Sequence, residues 1–380
     1  MYKVVSARLI FLSAILFCFI GLSFPWSIIP FPGNLLKPIL ETINKIWIPF
    51  FGTECVEIHS DSLGMRLSFL HLTIFSLGIN SIFHRFIAKH HDRVQYWIEM
   101  IVLYLVIYFL LKYGLDKLFK NQFPFPEPNI LFSPVANLSK GMLYWSSVGS
   151  SYSFNVITGA LECFCALLLI WNKTRMVGLL LSLLIFGQIV LINFAFAIDV
   201  KILSSMLFFS TFLLLLTYKA RLSSLFNTHH TAVLLPVAKG LENHKPKRVQ
   251  IKIFVLMLLF LDAFYPFVTT KSFNNDNNSV SAMVGAYRLN ENNFNLGELQ
   301  QISHCFVNAK GYVIFQNQDF QTLCFEIKIT PNLVHTKLEH PISFTIFSKK
   351  NKTFLMITDE GTQKEIELTR MNLRKIKLRK

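Results

Sequence analysis

The chain has 380 residues, 52% hydrophobic and 16% charged, with a formal net charge of +15 and a mean hydropathy of +0.45. Soluble domains carry about a quarter charged residues, so this composition excludes an ordinary soluble globular protein and points to several membrane spans. The excess lysine and arginine sits largely in loops between apolar runs, where it sets orientation, and no nucleic-acid motif accompanies it.

Met1 to Arg8 is a short basic head. An apolar run follows over about 9–29. No small-x-small cleavage site ends it, and Phe24-Pro25-Trp26 reads as an interfacial end, so a retained first helix is expected. In segment 30–50, Leu36, Ile39, Leu40, Ile43, Ile46 and Trp47 recur at helical spacing, with Lys37, Glu41, Asn44 and Lys45 on the other face. That pattern predicts a helix lying along the membrane surface. The polar stretch Glu57 to Ser62 fits a cavity mouth or a solvated loop.

A second span is expected over 67–83. His84, His90 and His91 follow in a basic turn; no cysteine or carboxylate completes a ligand set at metal-site spacing, so no metal is predicted. The third span, Tyr96 to Leu111, runs into Lys112-Tyr113-Gly114-Leu115-Asp116-Lys117-Leu118-Phe119. Residues 120–150 form a loop with Pro124, Pro126, Pro128 and Pro134. Within it, Asn129 to Phe132 and Met142 to Trp145 are too short to span and read as surface-skimming segments with aromatic anchors. Small residues from Ser146 to Ser153 could line an opening between helices.

Three more spans are expected at about 152–171, 176–196 and 200–218, then a basic loop over 219–252 and a last span over 253–268. The Lys/Arg-rich loops 84–93, 172–175 and 219–252 alternate with the spans. The positive-inside rule turns them to the cytoplasm and leaves the N-terminus inside and the C-terminus outside. After the polar linker Asn274 to Ser279, segments 311–315, 324–329, 342–347, 354–358 and 363–368 alternate apolar and polar. Turn signals at Lys350-Asn351-Lys352 and Asp359-Glu360-Gly361 separate them, so 275–380 reads as a small extracytoplasmic antiparallel β domain. The expected fold is thus an α-helical polytopic membrane protein of about seven spans, with a four-helix core at 96–218 and a C-terminal β domain.

The cysteines form no metal or redox motif. Cys18, Cys163 and Cys165 are expected to pack as small hydrophobes. Two residues apart on a helix point about 200° away from each other, so Cys163 and Cys165 cannot act together. In an oxidising compartment Cys305 and Cys324 could pair; their spacing permits a bridge and does not require one.

The polar residues at membrane depth are the candidate site. Lys112, Asp116, Lys117, Glu162, Gln188, Asn193, Asp199, Lys201 and Asp262 lie in the spans or at their ends, and counting residues along the helices gathers them into the outer half of the bundle. In one reading they pair with one another, Lys112 with Asp116 within a turn, and lock the helices. In the other they line a polar pocket for a headgroup, a quinone or a proton path, with Glu162 as its leading member.

Several short pieces carry a family resemblance: Lys112 to Leu118, Gly159-Ala160-Leu161-Glu162, Lys173 to Gly178, and Asp199-Val200-Lys201-Ile202. On these, residues 96–218 resemble the DoxX-like family of small four-helix membrane proteins. The family's Gly-x-x-Lys and Gly-x-x-Glu elements correspond to Gly114/Lys117 and Gly159/Glu162. Where the family often has an arginine, this chain offers Lys112. The outer spans and the β tail are extensions to that core. The resemblance implies a bacterial inner-membrane protein, at most an accessory subunit of a quinone-linked oxidoreductase, binding quinone and serving a redox partner. No haem, flavin or iron–sulfur ligation pattern is present. The alternative is a non-catalytic membrane scaffold whose β domain and loops dock a partner protein.

Overall fold

The computed structural model describes residues 7–22, 32–226, 246–274 and 276, and most of 283–373 apart from short turns. The interfacial end Phe24-Pro25-Trp26, most of the basic loop (227–245), most of the linker, and the turn residues Lys350-Asn351 and Glu360-Gly361 lie outside the described residues. The chain forms two compact units, each built from two segments. One joins residues 1–122 with 153–273; the other joins 123–152 with 274–380.

The first unit is helical. It contains α1 (Ala7–Gly21), α2 (Pro32–Asn44), α3 (Ile48–Phe51), α4 (Leu63–Ile82), α5 (His84–Lys89) and α6 (His91–Leu118). The second unit then contributes α7 (Pro128–Phe132) and α8 (Lys140–Gly149). The helical unit resumes with α9 (Tyr152–Ile170), α10 (Arg175–Ala195), α11 (Lys201–Leu215), α12 (Lys219–Phe226) and α13 (Pro246–Thr270).

Five helices are long and apolar enough to cross a membrane: α6, α9, α10, α11 with its extension to Ser223, and α13 from Gln250. The chain therefore reads as a multi-pass membrane protein. Two of the seven expected spans fall outside that group. The α1 helix is apolar but has 15 residues, about 22 Å at 1.5 Å per residue against a hydrocarbon core of about 30 Å. The α4 helix has 20 residues, but Arg66, His71 and Asn80 dilute its hydropathy.

At the centre lies α6. From Val102 to Leu111 none of its residues is exposed, and a helix apolar all round belongs inside a bundle. Phe109 stacks on Phe19 of α1 at 5.8 Å. Phe119, just past its end, packs on Phe267 of α13 at 4.7 Å. By contrast α9 and α10 show Phe154, Ile157, Leu161, Phe164, Leu184 and Leu191 on their open sides, as helices facing acyl chains do. The segment expected at the membrane surface is helical over α2. It tucks Leu40 inward and is tied by Asn44, whose Nδ2 donates to Gly64 O at 3.0 Å and Ser68 Oγ at 3.1 Å. Ile39, Ile43, Ile46 and Phe50 stay exposed.

The second unit holds nine antiparallel strands among the described residues: β1 (Gly285–Leu289), β2 (Phe294–Leu296), β3 (Leu299–Asn308), β4 (Tyr312–Asn317), β5 (Thr322–Ile329), β6 (Leu333–Thr336), β7 (Ile342–Lys349), β8 (Lys352–Asp359) and β9 (Thr362–Met371). Strand β1 pairs with both β9 and β3, so eight strands close into a near-barrel, and β2 occupies the remaining edge of β3. Closure leaves few open ladder groups for unwanted pairing. Inward residues fill the interior: Phe315, Phe325 and Phe344 meet edge to face, 5.4 to 6.0 Å apart.

The loop 123–152 belongs to this unit. On the outside of β3, Phe132 of α7 packs on His304 at 4.5 Å and Phe306 at 5.4 Å. Asn308 Nδ2 donates to Asn129 Oδ1 at 3.0 Å, and the Ala309 amide to Glu127 Oε2 at 3.0 Å. Asn129 to Phe132 thus covers a sheet face. Burial and the nearby Arg288 hold the His304 imidazole below its ordinary pKa, so a neutral ring packs against Phe132 near pH 7. Removing the Phe132 ring should weaken this attachment by about 1–3 kcal/mol. Limited proteolysis of Phe132→Ala should then cut faster between residues 128 and 137 than in the wild type; equal rates would contradict the packing role.

Candidate functional site

The predicted site residues separate into distinct bridges. The first joins α6 to α9. Gly114 and Gly159 sit at the crossing: a Cβ built on Gly159 would lie 2.6 Å from Gly114 O, and one on Gly114 2.6 Å from Cys163 Sγ. Only glycine lets these backbones approach so closely. One turn on from each glycine stand Lys117 and Glu162. Lys117 Nζ donates to both carboxylate oxygens, at 2.7 and 2.8 Å, and both residues are buried. The Tyr113 ring lies 5.9 Å from the same ammonium. Each charge is thereby neutralised by its partner, as burial at membrane depth demands.

The second bridge joins α6 to α13. Tyr108 donates its phenolic hydrogen to Asp262 Oδ2 at 2.6 Å, and both side chains are fully buried. Tyr108 and Lys117 are nine residues apart, about 180° round the helix. The α6 helix therefore binds α13 on one side and α9 on the other. The third bridge joins α10 to α11, where Asn193 Nδ2 donates to Ser204 Oγ at 3.0 Å.

Lys201 opens α11, where it meets Asp61, and the exposed Asp199 lies 3.7 Å from its ammonium. The Asp61 carboxylate accepts the Lys201 and Ile202 amides at 2.6 and 3.0 Å, and Lys201 Nζ lies 3.8 Å away. A carboxylate capping a helix N-terminus satisfies its orphan donors and its dipole. The polar stretch Glu57 to Ser62 is thus a double cap: Ser62 Oγ also accepts the Met65 amide at the start of α4.

Other members of the predicted set do not join a common pocket. Gln188 and Asp199 are exposed. Lys112 and Asp116 lie a turn apart, both half-buried, but do not close an ion pair; the Asp116 backbone carbonyl accepts the Asn121 amide at 2.7 Å. Cys305 and Cys324 are free thiols. Cys305 pairs across with Phe315 and faces the barrel interior; Cys324 pairs with Ile314, one residue out of that row, and points outward. Burial pushes both thiols up, Cys305 most. Among the described residues no group of three or more His, Cys, Asp or Glu could hold a metal ion.

Several polar partners were not among the predicted residues. Tyr108 and Asp61 are the partners of Asp262 and Lys201. Glu99 of α6 is bound by Arg8 of α1 and by Gln95. A carboxylate inside an apolar run was a legible signal for Glu99; a tyrosine among aromatics gave none for Tyr108.

The α6–α9 crossing should tolerate no added methyl. Gly159→Ala should cost about 1–3 kcal/mol through forced separation of the helices, read as a lower unfolding midpoint in mild detergent. An unchanged midpoint would contradict the close approach.

Compared with known proteins, the chain matches no family model, no curated protein and no solved structure.

Proposed function

We propose that the protein is a membrane scaffold: its helices anchor a barrel unit that docks a partner protein. One observation carries this reading. The four buried members of the polar set, Lys117, Glu162, Asn193 and Asp262, each bind a protein group, and they tie α6 to α9 and α13, and α10 to α11. A ligand pocket would keep at least one such group turned toward a cavity.

The basic loops give the orientation in this proposal. With 84–93, 172–175 and 219–252 cytoplasmic in a bacterial inner membrane, the N-terminus is cytoplasmic and the barrel extracytoplasmic. The barrel and loop 123–152 then form the docking surface. A second reading, a DoxX-like protein that binds quinone and serves a redox partner, is favoured by the meeting of Gly114/Lys117 with Gly159/Glu162. In that case a ligand would have to open the Lys117–Glu162 pair.

Native mass spectrometry of protein extracted in mild detergent separates the two. The scaffold reading expects a protein partner retained equally by the wild type and Glu162→Gln, and lost when 275–380 is removed. Stoichiometric quinone in the wild type that Glu162→Gln loses would overturn it.

A further inference from the structure

The basic end of the helical unit carries more positive charge than its own structure uses. At the C-terminus of α9, each of the last carbonyls has a side-chain donor. Thr174 Oγ1 donates to Leu168 O at 2.7 Å, Arg175 Nε to Leu169 O at 3.1 Å, and Lys252 Nζ to Ile170 O at 2.5 Å. A helix C-terminus offers about half a negative charge. Two full cations meet it here, and the exposed Lys173 stands beside them.

Among the described residues no carboxylate is hydrogen-bonded or ion-paired to Arg175, Lys252 or Lys173. Because Gly114 near the end of α6 meets Gly159 near the start of α9, the start of α6 lies toward this end. Of its two carboxylates there, Glu99 is already taken by Arg8 and Gln95, and Asp92 lies 3.3 Å from His91 Nδ1. Arg175 spends only Nε on the carbonyl, and among the described residues its two terminal nitrogens have no partner. They form a planar fork that suits a phosphate. Lys252 has two further hydrogens to give. Around the cations, Trp171, Val177, Ile251 and Phe254 are exposed apolar side chains, with Trp171 where an interfacial anchor would sit.

We propose that Arg175, Lys252 and Lys173 bind the phosphate of an anionic phospholipid whose acyl chains lie along Trp171, Val177 and Phe254. The site uses basic residues between helix ends to hold one charged headgroup. The proposal rests on the chain spanning a membrane.

The test places the full chain in nanodiscs of phosphatidylcholine with a minor fraction of phosphatidylglycerol and counts retained lipid by native mass spectrometry. The wild type should retain phosphatidylglycerol selectively. Arg175→Gln/Lys252→Gln should bind it roughly tenfold or more weakly, while Lys352→Gln/Lys364→Gln, an equal loss of charge on the barrel, should leave it unchanged. Equal retention by all three proteins would overturn the proposal. Since the first variant also removes α9 caps, photoactivatable phosphatidylglycerol on the wild type gives an independent reading. Crosslinks should fall in 171–177 and 251–254; crosslinks spread evenly around the bundle would overturn it. Equal retention of both lipids defeats this site alone, whereas a protein monodisperse without detergent or lipid defeats the membrane reading itself.

Discussion

The helical unit depends on the approach of α6 to α9. Two glycines bring the backbones together, and one turn away a lysine and a glutamate close on each other with both carboxylate oxygens engaged. Each feature requires the other. Without the glycines, the helices separate and the ion pair stretches. Without its partner, either charge is stranded in an apolar setting, where its cost exceeds that of most single substitutions. The α6 helix has no lipid-facing side between Val102 and Leu111, so its bonds to α9 and to Asp262 of α13 fix the centre around which α1 and α11 pack.

The barrel unit answers a different constraint. It works with strands of moderate length and must leave no ladder edge open. Pairing β1 with both β3 and β9 achieves closure, and the interior phenylalanines fill what closure encloses. The bulge at Ser303 turns His304 and Phe306 toward Phe132. A loop inserted between two long helices thus becomes part of the barrel's outer layer.

Much of the architecture was legible. Apolar length and the basic turns located the long helices, and period-two alternation located β4, β5, β7, β8 and β9. Strand β3 was not legible, because Gln300 and Gln301 blur its start and the register shift near Ser303 breaks its alternation. Strands β1, β2 and β6 are too short to declare a period. At the site, glycine spacing and the rarity of buried charge picked out Lys117 and Glu162. Residue counting by depth could not assign partners, since it carries no information about azimuth. It therefore grouped Asp262 with Glu162, although they lie on opposite sides of α6, and it kept Gln188, which faces outward.

In this account the buried charges lock the bundle and do not serve a ligand. The most direct test is a double-mutant cycle on Lys117 and Glu162, unfolding Lys117→Met, Glu162→Met and the double variant in mild detergent. Each single change should cost about 3–5 kcal/mol by stranding the other charge, and the double variant should recover most of that loss. Single variants as stable as the wild type, or a double variant that loses the sum of both, would contradict the lock.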